Sequence, residues 1–377
     1  MYLLKQFPNL QIFIQSSTLR AFKDEEYTEK GLTVVDDLSH CDVLLGIKEV
    51  SIPTFIPNKT YIFFSHTAKK QKHNQKLLQE VAKLNITLKD HEYFTDKNNA
   101  RLVAFGKWAG IVGAYNALIG YGLRTGQYQL KRAHECFDMK EMLLHTSEVK
   151  LPPIKILITG GGRVAHGAME TLAALKMKEV SPEDFLNKTY NEPVVCRLDP
   201  WHYTRRKDGQ PFDFNHFVNN PADYEGTFKP YHFVTDIYIP CHFWDIASPK
   251  FIETEDYKDP AFRIKVISDV SCDMQGPIAS TLRASTIADP FYGYDPTTGK
   301  ECEAFNPKNI TVTSIDNLPG ELPRDASEDF SMALARHIFP AFATGDPDGI
   351  IKRATIIKKG KLTEKFNYLS DFLEGKE

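Results

Sequence analysis

At 377 residues, 42% of them hydrophobic and 25% charged, the chain is long enough for two domains with separate cores and has ordinary globular usage. A net charge of −3 gives no reason to expect nucleic acid or an anionic membrane, and no apolar run reaches the length of a membrane span. With no basic-then-apolar leader, the expected location is cytoplasmic. The six cysteines are scattered without a C-x-x-C pair, which reads as reduced thiols. In the one adjacent sulfur and nitrogen pair, Cys241-His242, neighbouring strand side chains point to opposite faces, so no metal is expected.

In chain order, residues 3–7 read as the tail of a helix. Strands follow at residues 10–15, 32–35 and 41–47, with a short helix opening at Asp24, an alternation typical of doubly wound α/β folds. Starting on a helix tail suggests that the opening strand of this first sheet is absent from the chain. The strand at 61–64 runs into Ser65-His66-Thr67, and the one before it into Lys48-Glu49-Val50. Ligands of open parallel sheets sit beyond the carboxyl ends of strands, which is where Lys48 and His66 fall. Leu77, Leu78, Val81 and Leu84 recur at helical spacing over 71–84. From Arg101 a helix rich in small residues, including Gly106, Gly110 and Gly113, runs to about Arg124 and is expected to pack very closely and to bridge two domains. The polar stretch 125–150, with Pro152 and Pro153 after it, completes the hinge.

Residues 154–158 read as a buried parallel strand that breaks into Gly160-Gly161-Gly162 and resumes as a helix from Arg163 and Val164. Gly160, Gly162 and Ala165 fit G-x-G-x-x-[G/A], in which glycines permit the turn and the close approach of a pyrophosphate to the helix N-terminus. The acid expected on the next strand, to receive the adenosine ribose hydroxyls, is Asp199. It lies 37 residues past Gly162 rather than about 20, so a second helix is expected between them, with Ser181 as cap and Pro182 at its first position. The acid favours NAD; Arg205, Arg206 and Lys207 just beyond it leave NADP open. A polar aromatic loop spans 200–231, and strands follow at 233–239 and 264–267. The second of these ends in Ser268-Asp269-Val270-Ser271, and strand 311–313 leads to Ile315-Asp316-Asn317-Leu318 in the same layout. A helix over 326–337 returns the chain to the first domain.

Four blocks, Gly46-Ile47-Lys48-Glu49-Val50, Phe63-Phe64-Ser65-His66-Thr67, Arg101-Leu102-Val103-Ala104-Phe105-Gly106 and Ser314-Ile315-Asp316-Asn317-Leu318-Pro319, carry a resemblance. They resemble the L-lysine-forming saccharopine dehydrogenases and, more closely, the lysine–ketoglutarate reductase half of the aminoadipic semialdehyde synthases, in the alanine dehydrogenase and transhydrogenase superfamily. The resemblance implies two Rossmann-like domains with an interdomain cleft: a discontinuous substrate domain, 1–130 plus 325–377, and an NAD(P) domain, 150–324. It implies that Lys48 and His66 are the acid/base pair, that Gln71 binds substrate and that Arg101 lies on the cofactor side. Asp199 fits the ribose acid, while Asp269, Val270, Ser271, Ile315, Asp316, Asn317 and Leu318 fall on segments lining nicotinamide and substrate. The family's opening segment supplies an arginine and a lysine to the substrate carboxylates; this chain starts after it, and Arg20 is the substitute named here. The implied reaction interconverts saccharopine with lysine and 2-oxoglutarate. The alternatives are an alanine dehydrogenase-like activity and an inactive nucleotide-binding homologue. The partners are a small amino-acid substrate and a dinucleotide; no nucleic acid or membrane is expected, and the oligomeric state is left open.

Overall fold

Short runs of β-branched and aliphatic residues set the strands, and the loops at their carboxyl ends carry the candidate site. The computed structural model describes residues 2–376. By the density of its contacts the chain divides into two compact units, Met1–Ala104 with Ser327–Glu377, and Phe105–Ala326.

In the first unit, helix α1 (Tyr2–Gln6) leads to strand β1 (Phe13–Gln15), which pairs in parallel with β2 (Thr33–Val35) across helix α2 (Asp24–Thr28). A second parallel set, β3 (Val43–Leu45), β4 (Thr60–Phe63) and β5 (Thr87–Asp90), aligns Leu44 with Tyr61 and Tyr61 with Leu88. Helix α3 (Gln75–Lys83) buries Leu77, Leu78 and Val81, the face its apolar spacing anticipates, in a core with Phe63 and Leu88.

The second unit opens on α4 (Gly106–Thr125), a helix buried over most of its length, followed by α5 (Met139–Ser147). Strand β6 (Lys155–Thr159) then turns through the glycines into α6 (Arg163–Ala173). Next come β7 (Lys178–Glu179), α7 (Pro182–Asn187) and β8 (Val194–Leu198). Helix α7 is the intervening helix anticipated above, with Ser181 Oγ accepting from the Asp184 N–H at 3.1 Å and Pro182 at its start. A ribbon of β9 (Thr204–Arg206) and β10 (Tyr224–Gly226) precedes β11 (Ile237–Pro240), β12 (Val266–Ser268), β13 (Tyr292–Tyr294), β14 (Glu301–Cys302) and β15 (Ile310–Thr313). The large sheet runs β14-β13-β15-β12-β11-β6-β8-β7, with β15 through β7 parallel. The strand order reverses direction at β6, between β8 and β11, which is the topological switch point of a doubly wound sheet.

Both faces of this sheet are covered. On one, Ile156, Ile158 and Val266 meet Ala114 and Leu118 of α4 and Ala165 and Leu172 of α6. On the other, the segment expected to be a polar loop supplies buried Tyr203, Phe228 and Tyr231 to an aromatic core with Tyr238 and Tyr257. Helices α4 and α6 approach so closely that a Cβ on Gly110 would lie 1.8 Å from the Val164 carbonyl oxygen, and one on Gly167 2.1 Å from that of Lys107. That contact groups α4 with the second unit instead of leaving it as a bridge. The expected hinge over 125–150 is likewise a folded part of this unit, burying Ala133 and Met142 against α4.

The chain returns to the first unit with β16 (Thr355–Lys358), antiparallel to β5, and β17 (Lys361–Leu362). Lys359 and Gly360 turn between them with φ of 48° and 74°, the left-handed pair that a two-residue hairpin requires. Among the described residues no helix is long and apolar enough to cross a membrane.

Candidate active site

In the first unit three adjacent strand ends are tied together. Ser65, just past β4, donates from its N–H and Oγ to Asp90 Oδ2 of β5, at 2.9 and 2.6 Å. Asp90 Oδ1 takes the Glu92 N–H at 2.8 Å, and the His91 Nε2–H reaches back to the Gly46 carbonyl at 2.8 Å. His91 is wholly buried, and burial pushes its pKa down to about 4, so it is the neutral ring that holds the loop after β3.

On this base stand the predicted acid/base residues. His66 adopts a left-handed backbone, φ 53°, a conformation that costs energy for a residue with a side chain. Its Nδ1 lies 2.5 Å from Glu49 Oε1, both side chains being about one-third exposed or less. Burial pushes the Glu49 carboxyl up, but the His66 bond, its own backbone N–H and the charges of His66 and Lys48 outweigh that and hold it below the usual carboxylate range. With Nδ1–H given to Glu49, His66 keeps Nε2 for proton exchange. Lys48, in the same loop, is exposed.

The other first-unit candidates lie around this group in varying degrees. Arg101 pairs with Glu92, which Lys69 also reaches at 3.1 Å. Gln71 is exposed and accepts from Asn74 Nδ2 at 3.5 Å. Arg20 is engaged locally, paired with Asp24 and stacked over Tyr27 at 4.9 Å.

In the second unit the glycine turn takes the anticipated form. Gly160 has φ 119°, and a Cβ there would meet the Cys241 carbonyl oxygen at 2.6 Å; only glycine fits. A Cβ on Gly161 would lie 2.3 Å from Asp199 Oδ1, whereas one on Gly162 would meet nothing within 4 Å. Gly162 caps α6 without a side-chain cap, so the space around it lies at the N-terminus of that helix, where the backbone dipole favours an anion. The residues present therefore suit a pyrophosphate.

Asp199 is placed beside this turn, but not alone. Arg197, two residues earlier on the same face of β8, donates Nη1 to Asp199 Oδ1 at 2.6 Å and Nη2 to Oδ2 at 3.1 Å, and also binds the Gly160 carbonyl at 3.0 Å. The basic residues named for NADP are already committed in the ribbon: Arg205 to Glu225, Arg206 to Asp208, Lys207 to the Ala222 carbonyl.

Asp269 is buried; its Oδ1 accepts from the Ser271 N–H and Oγ and the Cys272 N–H, and its Oδ2 from Thr281 Oγ1, so it caps the loop after β12. Val270 packs where a Cβ on Gly113 would touch its Cγ2, while Ser271 is spent on Asp269. Ile315 and Leu318 are buried; Asp316 and Asn317 between them are exposed.

Sequence reasoning missed Glu49, His91 and Arg197. Each carried a faint signal: Glu49 follows Lys48, and Arg197 stands at i−2 from the ribose acid. A fourth missed residue, His242, is buried beyond β11, with Nδ1 2.7 Å from Thr159 Oγ1 and its ring stacked on Phe251 at 3.9 Å.

Residues 2–112 match the alanine dehydrogenase/PNT N-terminal domain family. The mouse mitochondrial alpha-aminoadipic semialdehyde synthase is 29% identical over 97% of this chain and 45% of its own length, and the bovine one 30% identical over the same shares. The Yarrowia lipolytica saccharopine dehydrogenase [NAD(+), L-lysine-forming] is 29% identical over 86% of this chain and 82% of its own. The chain resembles both groups of enzymes over most of its length. It spans about 45% of the semialdehyde synthases it matches. A solved L-alanine dehydrogenase, 14% identical, matches 99% of this chain and 93% of its own with a TM-score of 0.61, a likeness of fold.

Proposed function

We propose that the chain interconverts saccharopine with L-lysine and 2-oxoglutarate, as an NAD(P)-dependent saccharopine dehydrogenase of the L-lysine-forming type. The observation that carries this reading is His66 held by Glu49 beside Lys48, in a chain similar to enzymes that bear that name. The balanced reaction is saccharopine, water and oxidised cofactor to lysine, 2-oxoglutarate, reduced cofactor and a proton. A nicotinamide dinucleotide, held by the Gly160–Gly162 turn, the α6 N-terminus and Asp199, supplies the hydride acceptor or donor when bound.

The chain's own residues handle protons. One of Lys48 and His66 takes the proton of the secondary amine before the glutarate α-carbon loses hydride. The other activates water to add to the resulting imine, and a proton returned to nitrogen lets the carbon–nitrogen bond break. Glu49 fixes the His66 ring and its tautomer throughout.

The preferred cofactor in this reading is NAD, because the acid Asp199 beside the glycine turn would repel a 2′-phosphate. A lower KM for NADPH than for NADH overturns that preference. The activity is tested by incubating the chain with NADH or NADPH, 2-oxoglutarate and either lysine or ammonia, and following loss of reduced nicotinamide. Lysine-dependent oxidation is expected. Turnover with ammonia and none with lysine points to an amino-acid dehydrogenase of the alanine type, and NADH binding without turnover on any amine to an inactive homologue.

A further inference from the structure

Beyond α4, and using none of the residues assigned above, Cys136, Glu141 and His145 bring their ligand atoms within 4.8 Å of one another. Glu141 and His145 are four apart on α5 and share one face. Cys136 ends the 3-10 turn Ala133–Glu135 that leads into that helix. Asp138 Oδ1 caps α5 through the Glu141 N–H at 2.9 Å, which fixes where the helix begins.

The geometry points to a site for a divalent transition ion of the zinc class, with Cys136 Sγ, Glu141 Oε1 and His145 Nε2 as protein ligands and a fourth position for water. Sulfur, imidazole nitrogen and carboxylate oxygen together suit zinc or cobalt and do not suit magnesium or calcium. A tetrahedral zinc with bonds of about 2.0–2.3 Å places its ligand atoms roughly 3.3–3.5 Å apart. Glu141 Oε1 and His145 Nε2 are already 3.6 Å apart, and the ligand atoms of all three residues lie within 4.8 Å of one another.

Two further observations bear on the site. His145 Nε2 is shielded from solvent and faces Glu141 Oε1 at 3.6 Å, beyond hydrogen-bond length, which leaves the ring nitrogen available to a metal. The cation position at Glu141 Oε1 is filled by the Lys131 ammonium at 2.6 Å, while the Phe137 N–H occupies Oε2 at 2.7 Å. Lys131 and His145 also line a cavity of about 260 Å³ with Gln127 and Glu148, which gives the ammonium somewhere to swing and an ion a way in. On binding, the Cys136 sulfhydryl gives its proton to solvent and its present bond to the Arg132 carbonyl is lost.

The experiment uses the full chain freed of metal by a chelator and titrated with Co²⁺, then with Zn²⁺ in competition. One equivalent of Co²⁺ is expected to bind with sulfur-to-metal charge-transfer absorption and to be displaced by Zn²⁺. Cys136→Ser is expected to lose that absorption, and Cys136→Ser and His145→Gln each to weaken binding by more than roughly 10-fold. Lys131→Met, which removes the competing ammonium, is expected to tighten it. Binding without thiolate absorption, binding unchanged in both ligand variants, or no binding in either wild type or Lys131→Met overturns the proposal. Far-UV circular dichroism identifies any variant that fails to fold, and His145→Gln and Lys131→Met then decide without Cys136→Ser.

Discussion

At the scale of single residues, the proton-handling group makes the sharpest demands. Lys48→Met and His66→Gln should each lower kcat by about 10²-fold or more, within the range of general acid/base effects; near-wild-type steady-state rates in both remove them from the chemistry. Glu49 is hydrogen-bonded to His66 and positions its ring, so Glu49→Gln should lower kcat by about 10-fold, and adding it to His66→Gln should change little further. Additive losses in that double variant would mean that Glu49 acts on its own. Arg197 neutralises the acid beside the glycine turn, which makes it the group on β8 able to tolerate a 2′-phosphate. Arg197→Met should therefore weaken NADPH binding by about 10-fold relative to NADH, read by fluorescence titration of both cofactors. How far such residues were legible depended on range. Lys48 and His66 stand at strand ends, a position that marks them as candidates, while their proposed roles rest on the family resemblance. Asp269 has the same kind of position, but its Oδ2 is engaged by Thr281, and no local pattern reveals a partner twelve residues away.

Among elements, the α4–α6 contact supports the glycine turn, since α6, which follows the turn, is seated against α4 with Gly110 facing Val164 and Gly167 facing Lys107. Gly110→Ala puts a methyl into the Val164 backbone, which cannot yield, and should destabilise the second unit by about 3 kcal/mol or more while weakening NADH binding. Gly120→Ala in the same helix meets side chains rather than backbone, the Phe291 ring edge at 3.0 Å and Val266 Cγ1 at 3.4 Å, and should cost about 1 kcal/mol. Urea unfolding of the two variants makes the comparison; equal losses would show that the close crossing is not what matters. The small residues of this helix were readable as a sign of tight packing. What they pack against was not, because small-residue spacing does not specify a partner. The same holds for the segment 200–231, whose polar residues masked the tyrosines that complete an aromatic core.

For the molecule as a whole, buried neutral histidines set the response to acid. Burial takes His242 down to about 3 and His91 to about 4, so in each case the unfolded chain binds a proton more readily than the folded one. The stability each contributes by staying neutral is present above the unfolded value near 6.5 and is lost as pH falls below it. Buried Asp269, with its pKa raised, works in the opposite sense, gaining its proton in the folded state. Comparing wild type with His242→Phe cancels the other groups: between pH 6.5 and 5, wild type should lose about 2 kcal/mol more than the variant. Parallel pH profiles from denaturant unfolding would mean that His242 is protonated in place.

The last strands carry a consequence for how the chain is made. β5 has no antiparallel neighbour until β16 arrives, and α3 is held by Gln75 and Gln79 side chains donating to the carbonyls of Phe372 and Leu373. The stretch from Phe105 to Ala326 is contiguous and can fold as it emerges, while β5, made before it, gains its antiparallel neighbour only after it. Through that interval β5 presents an unpaired strand edge, the kind of surface on which chains stick to one another.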